Sequence, residues 1–366
     1  MTSNKSISEV ESLQKVNFFL GDELASFIIE KKGWGPLQVA LFSYISIVIS
    51  IVIALISGRL FPDPNYLALF EDFLYWAAAV FVLPLSWGYY VWSCVAPTKV
   101  LAEIQASGAV TLEEKDIRIA SNILENKYAT ILAWFLSLSL ASLGSYQDFI
   151  APPRWTNGNI FVLVVRVLYT APTTFAALSA IFRTVSNAKF FREILRNVTL
   201  NPLHPDRAGG LRKLGQYALS TTYPIALAGV IAVISEYFAY LNDTLATSYY
   251  LHVILILYIP FSLLTFFAPL SAAHDAMIKA KERLILKISY QFNMDFSLTF
   301  NELTQPAKAL KDNIEKIEQL QRLHKLAETF PVWPFDIQTI RKFLIAISSP
   351  ITSIIIAIII QKLTSD

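Results

Sequence analysis

One cysteine, Cys94, stands in the whole chain. An intrachain disulfide framework and a CxxC metal or redox site are therefore excluded. Histidine is nearly as scarce, with four in 366 residues. No Walker A, glycine-rich nucleotide loop or HExxH motif occurs. The chain opens without a basic stretch leading into a short apolar core and cleavage site, so no secretory signal peptide is expected. Charge is thin as well: 16% of residues are charged, against about 25% in soluble domains. These shortages leave little for nucleophilic, nucleotide or metal chemistry. The expectation is a non-enzyme with no catalytic residue, no cofactor and no bound metal. The net charge of +2 gives no reason to expect a nucleic-acid partner.

What is abundant is apolar sequence. Hydrophobic residues make up 54% of the chain, and mean hydropathy is +0.48. They fall in blocks long enough to cross a bilayer, which takes roughly 20 residues. Seven such blocks run over Pro36–Gly58, Phe73–Ala96, Ala129–Tyr146, Ile160–Phe182, Tyr217–Leu241, Tyr249–Leu270 and Phe343–Ile360. Lipid offers no partner to backbone N–H and C=O groups, so the blocks must be helical. They lack the alternation of a membrane β-barrel. The fold class is all-α, a polytopic integral membrane protein with seven transmembrane helices. The last block is short and carries Pro350, so a re-entrant segment is its alternative.

Lysines and arginines between the blocks number 4, 1, 4, 1, 7, 0, 11 and 1 from N- to C-terminus. This alternation puts the N-terminus in the cytoplasm and the C-terminus outside. Four regions follow: a cytoplasmic or interfacial amphipathic segment, 1–34; a six-helix bundle, 35–270, with cytoplasmic loops 97–128 and 183–216; a cytoplasmic helical hairpin, 271–336; and a C-terminal helix with a short tail, 337–366. In the first, Val10–Ile29 interleaves apolar and charged residues, as a helix lying in the interface would. In the hairpin, the sixth span is expected to continue to about Tyr290 and break near Asn293–Ser297. Leu303, Ala307, Leu310, Ile314 and Ile317 then recur at coiled-coil spacing. The hairpin packs on itself or on the second loop, or it serves oligomerisation or a cytoplasmic partner. An aromatic turn, Phe330-Pro331-Val332-Trp333-Pro334, closes it.

Arg166 lies six residues inside the fourth block, roughly 9 Å below its outer end. A charge at that depth normally faces protein or water. Glu236 in the fifth block sits at similar depth. Arg166 pairs with Glu236, or snorkels to the headgroups, or lines an anion pathway. Ser43, Ser46, Ser50 and Ser57 share a face of the first span, and Ser139, Ser142 and Ser145 do so less cleanly in the third. Small residues let helices pack closely; the same stripe could line a pore. Pro84, Pro172, Pro224, Pro260, Pro269 and Pro350 lie within spans, where kinks free carbonyls to line cavities.

The fourth loop carries Leu203-His204-Pro205-Asp206-Arg207-Ala208-Gly209-Gly210-Leu211. His-Pro-Asp also marks the chaperone-binding turn of J-domains, but a J-domain needs four helices, which a loop between two spans lacks. The pattern His-Pro-Asp-x-x-Gly-Gly-Leu resembles a cytoplasmic loop of uncharacterised bacterial multi-pass membrane proteins. The resemblance covers this loop alone and implies no activity; it suggests a bacterial inner membrane as the location. Physically, His204, Asp206, Arg207, Gly209 and Gly210 make either a rigid turn at the membrane surface or an anion or ligand site. His274 and Asp275 close the sixth span at its inner face. With His204, Asp206 and His324 they are candidates for an inner-face cluster, although no helical metal spacing is present.

Coupling carboxylates within the spans are few. The leading expectation is therefore an oligomeric channel-like or membrane-effector protein gated through its cytoplasmic helices. The competing expectations are a signalling or scaffold module that binds a cytoplasmic partner through 271–336, and a secondary transporter for an anionic solute with its site near Arg166.

Overall fold

The computed structural model describes residues 21–65, 67–108, 110, 114–124, 127–150, 155, 160–196, 198, 200, 204–206, 208–241, 249–301 and 307–365. These are all-helical, with no strand among them. Six helical stretches are long and apolar enough to cross a membrane: Pro36–Ile56, Tyr75–Ala106, Lys127–Tyr146, Ile160–Arg196, Arg212–Ile234 and Tyr258–Phe300. The first six expected blocks overlap these one for one.

A short helix α1 (Glu23–Ser26) runs into a π turn, Phe27–Lys31. α2 (Pro36–Ser43) and α3 (Ile45–Ile56) form the first span, with one turn residue, Tyr44, between them. Pro36 starts α2, where its missing N–H costs nothing. The second span is assembled from α4 (Phe73–Ala77), a π segment Ala78–Val82 and α5 (Leu83–Ala106). Asp72 caps it, accepting the Tyr75 N–H at 3.1 Å. After α6 (Glu114–Ser121), α7 (Lys127–Ile150) and α8 (Ile160–Arg196) form an adjacent pair. α9 (Arg212–Leu241) packs on both α10 (Tyr249–Asn301) and α12 (Ile337–Ser365). α11 (Ala307–Glu328) packs along α10.

The surface is apolar where lipid would touch it. Val48, Val52 and Ile56 on α3, Leu132 and Phe135 on α7, and Leu168 on α8 are all exposed. An apolar surface this extensive is untenable in water. The main core lies at the end of the bundle that carries the basic loops. There α5, α6, α8, α9 and α10 bury Leu101, Ile117, Phe190, Ile194, Leu214 and Phe266. This is called the basic end below.

One local expectation changes. α10 does not break at Asn293–Ser297 but continues to Asn301. No Pro or Gly stands there, and Phe292, Phe296 and Phe300 stack at i, i+4, with ring centroids 5.9 and 6.4 Å apart. Such pairs support a helix. The described part of the N-terminal segment packs on the bundle by one face. Ala25 and Ile28 are buried against Tyr90, Val91 and Phe175. Most of the expected interfacial helix lies outside the described residues.

Candidate functional site at the basic end of the bundle

The Gly21-Asp22-Glu23-Leu24 run reads locally as a helix start. Asp22 is the N-cap, and its Oδ1 accepts the Ala25 N–H at 3.1 Å. Its Oδ2 is turned into the bundle. There it accepts the Tyr90 hydroxyl at 2.8 Å and Arg183 Nη2 at 2.7 Å. Arg183 is on α8, and Tyr90 is on α5 one turn from Cys94. The guanidinium also reaches the Cys94 sulfur and sits 5.2 Å from the centre of the Tyr90 ring. Asp22 and Arg183 keep 3% and 9% of their side-chain surface exposed. Both charges are thus taken out of solvent, and each meets several partners, as a buried ion pair requires.

A second polar layer lies one turn further along α8. Asn187, fully buried, donates from Nδ2 to the Ser93 carbonyl at 3.0 Å and to the Tyr217 hydroxyl at 3.3 Å. Tyr89 and Thr184 share a 2.9 Å hydrogen bond. Trp92 stacks on Tyr217 at 5.6 Å. These contacts fasten α5, α8 and α9 together.

The His204–Leu211 loop is held just beyond. Asp206 Oδ1 accepts the backbone N–H of Ala208 and of Gly210, both at 2.9 Å. His204 Nδ1 donates to the same oxygen at 2.8 Å, and Nε2 faces the Ser107 carbonyl at 3.2 Å. The Asp206 backbone N–H also points at Nδ1, at 3.3 Å. The hydrogen bond to the Asp206 carboxylate raises the His204 pKa. Burial pushes Asp206 upward, but the amide donors and His204 outweigh it and its pKa falls. Gly209 and Gly210 have φ of 60° and 83°, a region that favours glycine. The loop is a self-satisfied turn tying the end of α5 to the start of α9. Arg207 lies outside the described residues.

Two cations at the start of α9 meet acids from distant elements. Arg212 pairs with Asp336 at 2.9 Å, and Lys213 with Glu103 at 3.0 Å. Asp336 caps α12 through the Thr339 N–H at 2.8 Å. Those Thr339 bonds, backbone first, and Arg212 lower its pKa. His274 stacks on Trp333 at 3.9 Å and bonds the Val332 carbonyl at 2.7 Å. It anchors the aromatic turn, while Asp275 is exposed. A Cβ added to Gly215 would come within 2.3 Å of the Pro334 carbonyl oxygen, so α9 and the turn touch backbone to backbone.

The candidates from the sequence therefore separate. His204, Asp206, Gly209 and Gly210 come together as one turn, and His274 serves a different contact. Among the described residues, no three His, Cys, Asp or Glu side chains gather as a metal site. Arg166 is half-buried, close enough to Tyr75 to interact electrostatically. The Glu236 side chain lies outside the described residues, and with it the proposed pair. Ser43, Ser46 and Ser50 are buried within the bundle, on the span that packs against α5; Ser139 and Ser142 are exposed.

The Asp22–Arg183 pair was missed from sequence. Its members are 161 positions apart, and Arg183 reads as the first residue of a basic loop. The signal available was the N-cap pattern at Asp22. Cys94, the chain's one thiol, is buried against the Arg183 guanidinium. What the site can do is hold the N-terminal segment to the bundle. Known protein families, characterised proteins and solved structures give no match to this chain.

Proposed function

We propose that this chain is a non-enzymatic, channel-like membrane effector of the bacterial inner membrane, gated through cytoplasmic helices. In this reading the basic end is cytoplasmic, α12 is the seventh span, and the chain assembles as a homo-oligomer. The part of α10 beyond the bundle forms a cytoplasmic hairpin with α11.

One observation carries the reading: α10 is a single helix of 53 residues. At 1.5 Å per residue it is about 80 Å long, more than twice the roughly 30 Å hydrocarbon core. Lys281 donates to the carbonyls of Glu328 and Phe330, at 2.6 and 3.3 Å, which ties α11 and the aromatic turn to it. A force on α11 therefore reaches Pro269 and Pro260 inside the bundle without crossing a loop. Prolines break the helical ladder and let a helix bend at a defined place.

The test is flux across liposomes holding the purified full chain. Ion or dye release is expected from the wild type. Two glycines inserted after Leu286, which is exposed on α10, should uncouple the outer part and change that release. Silent bilayers across salts and voltages would overturn the reading.

A second reading has its own support. Leu286, Tyr290, Phe296, Phe300 and Leu326 are exposed on α10 and α11, an apolar display suited to a partner protein. This makes the chain a signalling or scaffold module. It expects the full chain to capture one stoichiometric cytoplasmic protein, and to lose it on Tyr290→Glu with Phe296→Glu.

A further inference from the structure

A cavity of about 670 Å³ lies between α5, α8, α9 and α10. Its volume suits a bound ligand. Its walls are almost wholly apolar: Leu85, Ala177, Ile181, Ile225, Phe261 and Leu264. Pro224 and Pro260 stand in its wall, inside continuous helices, and Gly229 brings α9 against Tyr258 so closely that a Cβ would come within 2.7 Å. A second cavity of about 200 Å³ adjoins it, sharing Leu264 as a wall. This one lies between α8 and α10 and is edged by Thr184, Lys189, Arg192 and Ser271. The Tyr89–Thr184 hydrogen bond links the two linings.

The two cavities follow one face of α8. Ala177, Ile181, Thr184, Ala188 and Arg192 recur at helical spacing. The rise from Ala177 to Arg192 is about 22 Å. The fourth apolar block ends at Phe182, so the larger cavity's α8 wall lies within that block while Lys189 and Arg192 lie beyond its basic end. Lys189 and Arg192 are exposed and make no ion pair among the described residues. Their neighbours on the chain are committed elsewhere, Arg183 to Asp22 and Arg196 to Glu193.

We propose that this groove binds one anionic phospholipid, with an acyl chain in the larger cavity and the phosphate against Lys189 and Arg192. The charge complementarity selects an anionic headgroup, and the apolar depth selects a lipid over a soluble anion. The inference depends on the membrane spans and not on channel activity.

The experiment is native mass spectrometry of the detergent-solubilised full chain, titrated with phosphatidylglycerol and with phosphatidylcholine of identical chains. One phosphatidylglycerol per chain should be retained, more tightly than phosphatidylcholine. Lys189→Gln and Arg192→Gln should each weaken it about fivefold, the share of one basic residue at an anionic surface, and leave phosphatidylcholine unchanged. Ala177→Phe should fill the cavity and weaken both lipids. Equal retention of the two lipids by the wild type would overturn the proposal. So would indifference to the two glutamine variants, which sit on the surface and leave the core intact, or full displacement by inorganic phosphate. Lipid retention is read as mass, so it stands or falls separately from liposome flux.

Discussion

A carboxylate with 3% of its surface exposed survives as an anion only where its oxygens are fully engaged. Asp22 meets that demand with a backbone amide, a tyrosine hydroxyl and a guanidinium. Removing one member leaves the other charged and buried, at a cost of about 3–5 kcal/mol. Asp22→Ala and Arg183→Met should therefore each lower the apparent melting temperature in detergent sharply. The double variant should recover much of that loss, since no orphaned charge remains. A strictly additive double-mutant cycle would show that the two residues act apart. The pair also explains how a polar N-terminal segment comes to be packed among apolar helices. Its cap residue is the anchor, and Ala25 and Ile28 are small and apolar enough to follow it in.

At the scale of an element, the His204–Leu211 turn carries a pH signature. His204 has a raised pKa. Its contribution is full below its unfolded value of about 6.5 and is lost as pH rises through the folded value. Asp206 has a lowered pKa, so its contribution is present above its unfolded value and is lost as pH falls through the folded one. The turn is tightest in the acidic window between these limits. Hydrogen exchange at the Ala208 and Gly210 amides should speed up as pH is raised from about 6 to about 9, beyond the intrinsic rise in exchange rate. His204→Gln should remove that excess. The same scale shows why α10 defied its expected break. Polar residues at Asn293 and Asp295 look like a loop, yet the helix loses nothing there. Gln291 bonds Asp295 at 3.1 Å across one turn, and the phenylalanines stack on the adjoining face.

For the whole molecule, the proposed orientation makes a clean expectation. In a Cys94→Ser background, cysteines at Arg59 or Arg154 should react with a membrane-impermeant maleimide on intact cells. Cysteines at Lys115 or Lys213 should react only after permeabilisation. Labelling in the reverse sense would invert the topology and move the α10 extension outside. The distribution of packing fits a basic end that is structurally dominant. Its core joins six helices, α5, α6, α8, α9, α10 and α12, and the ion pairs Arg212–Asp336 and Lys213–Glu103 close over it. The opposite half buries a smaller cluster that includes Ile53, Leu69, Trp155 and Val162, and it presents many apolar side chains outward.

The sequence by itself determined the six helices long and apolar enough to cross a membrane, which overlap the first six of its seven apolar blocks, and with them the all-helical class. Both are local consequences: a peptide crossing lipid must satisfy its own hydrogen bonds, and about 20 apolar residues are enough to do it. The His204–Leu211 turn was legible for the same reason, since its aspartate, proline and glycines act on their near neighbours. Tertiary structure alone decided that Arg183 leaves its basic loop to meet Asp22. It alone turned Ser43, Ser46 and Ser50 inward, and brought Ala177 and Leu264 to one groove. These outcomes depend on how each helix is rotated and how deep it sits against the others. Hydropathy is averaged around the helix and carries neither quantity.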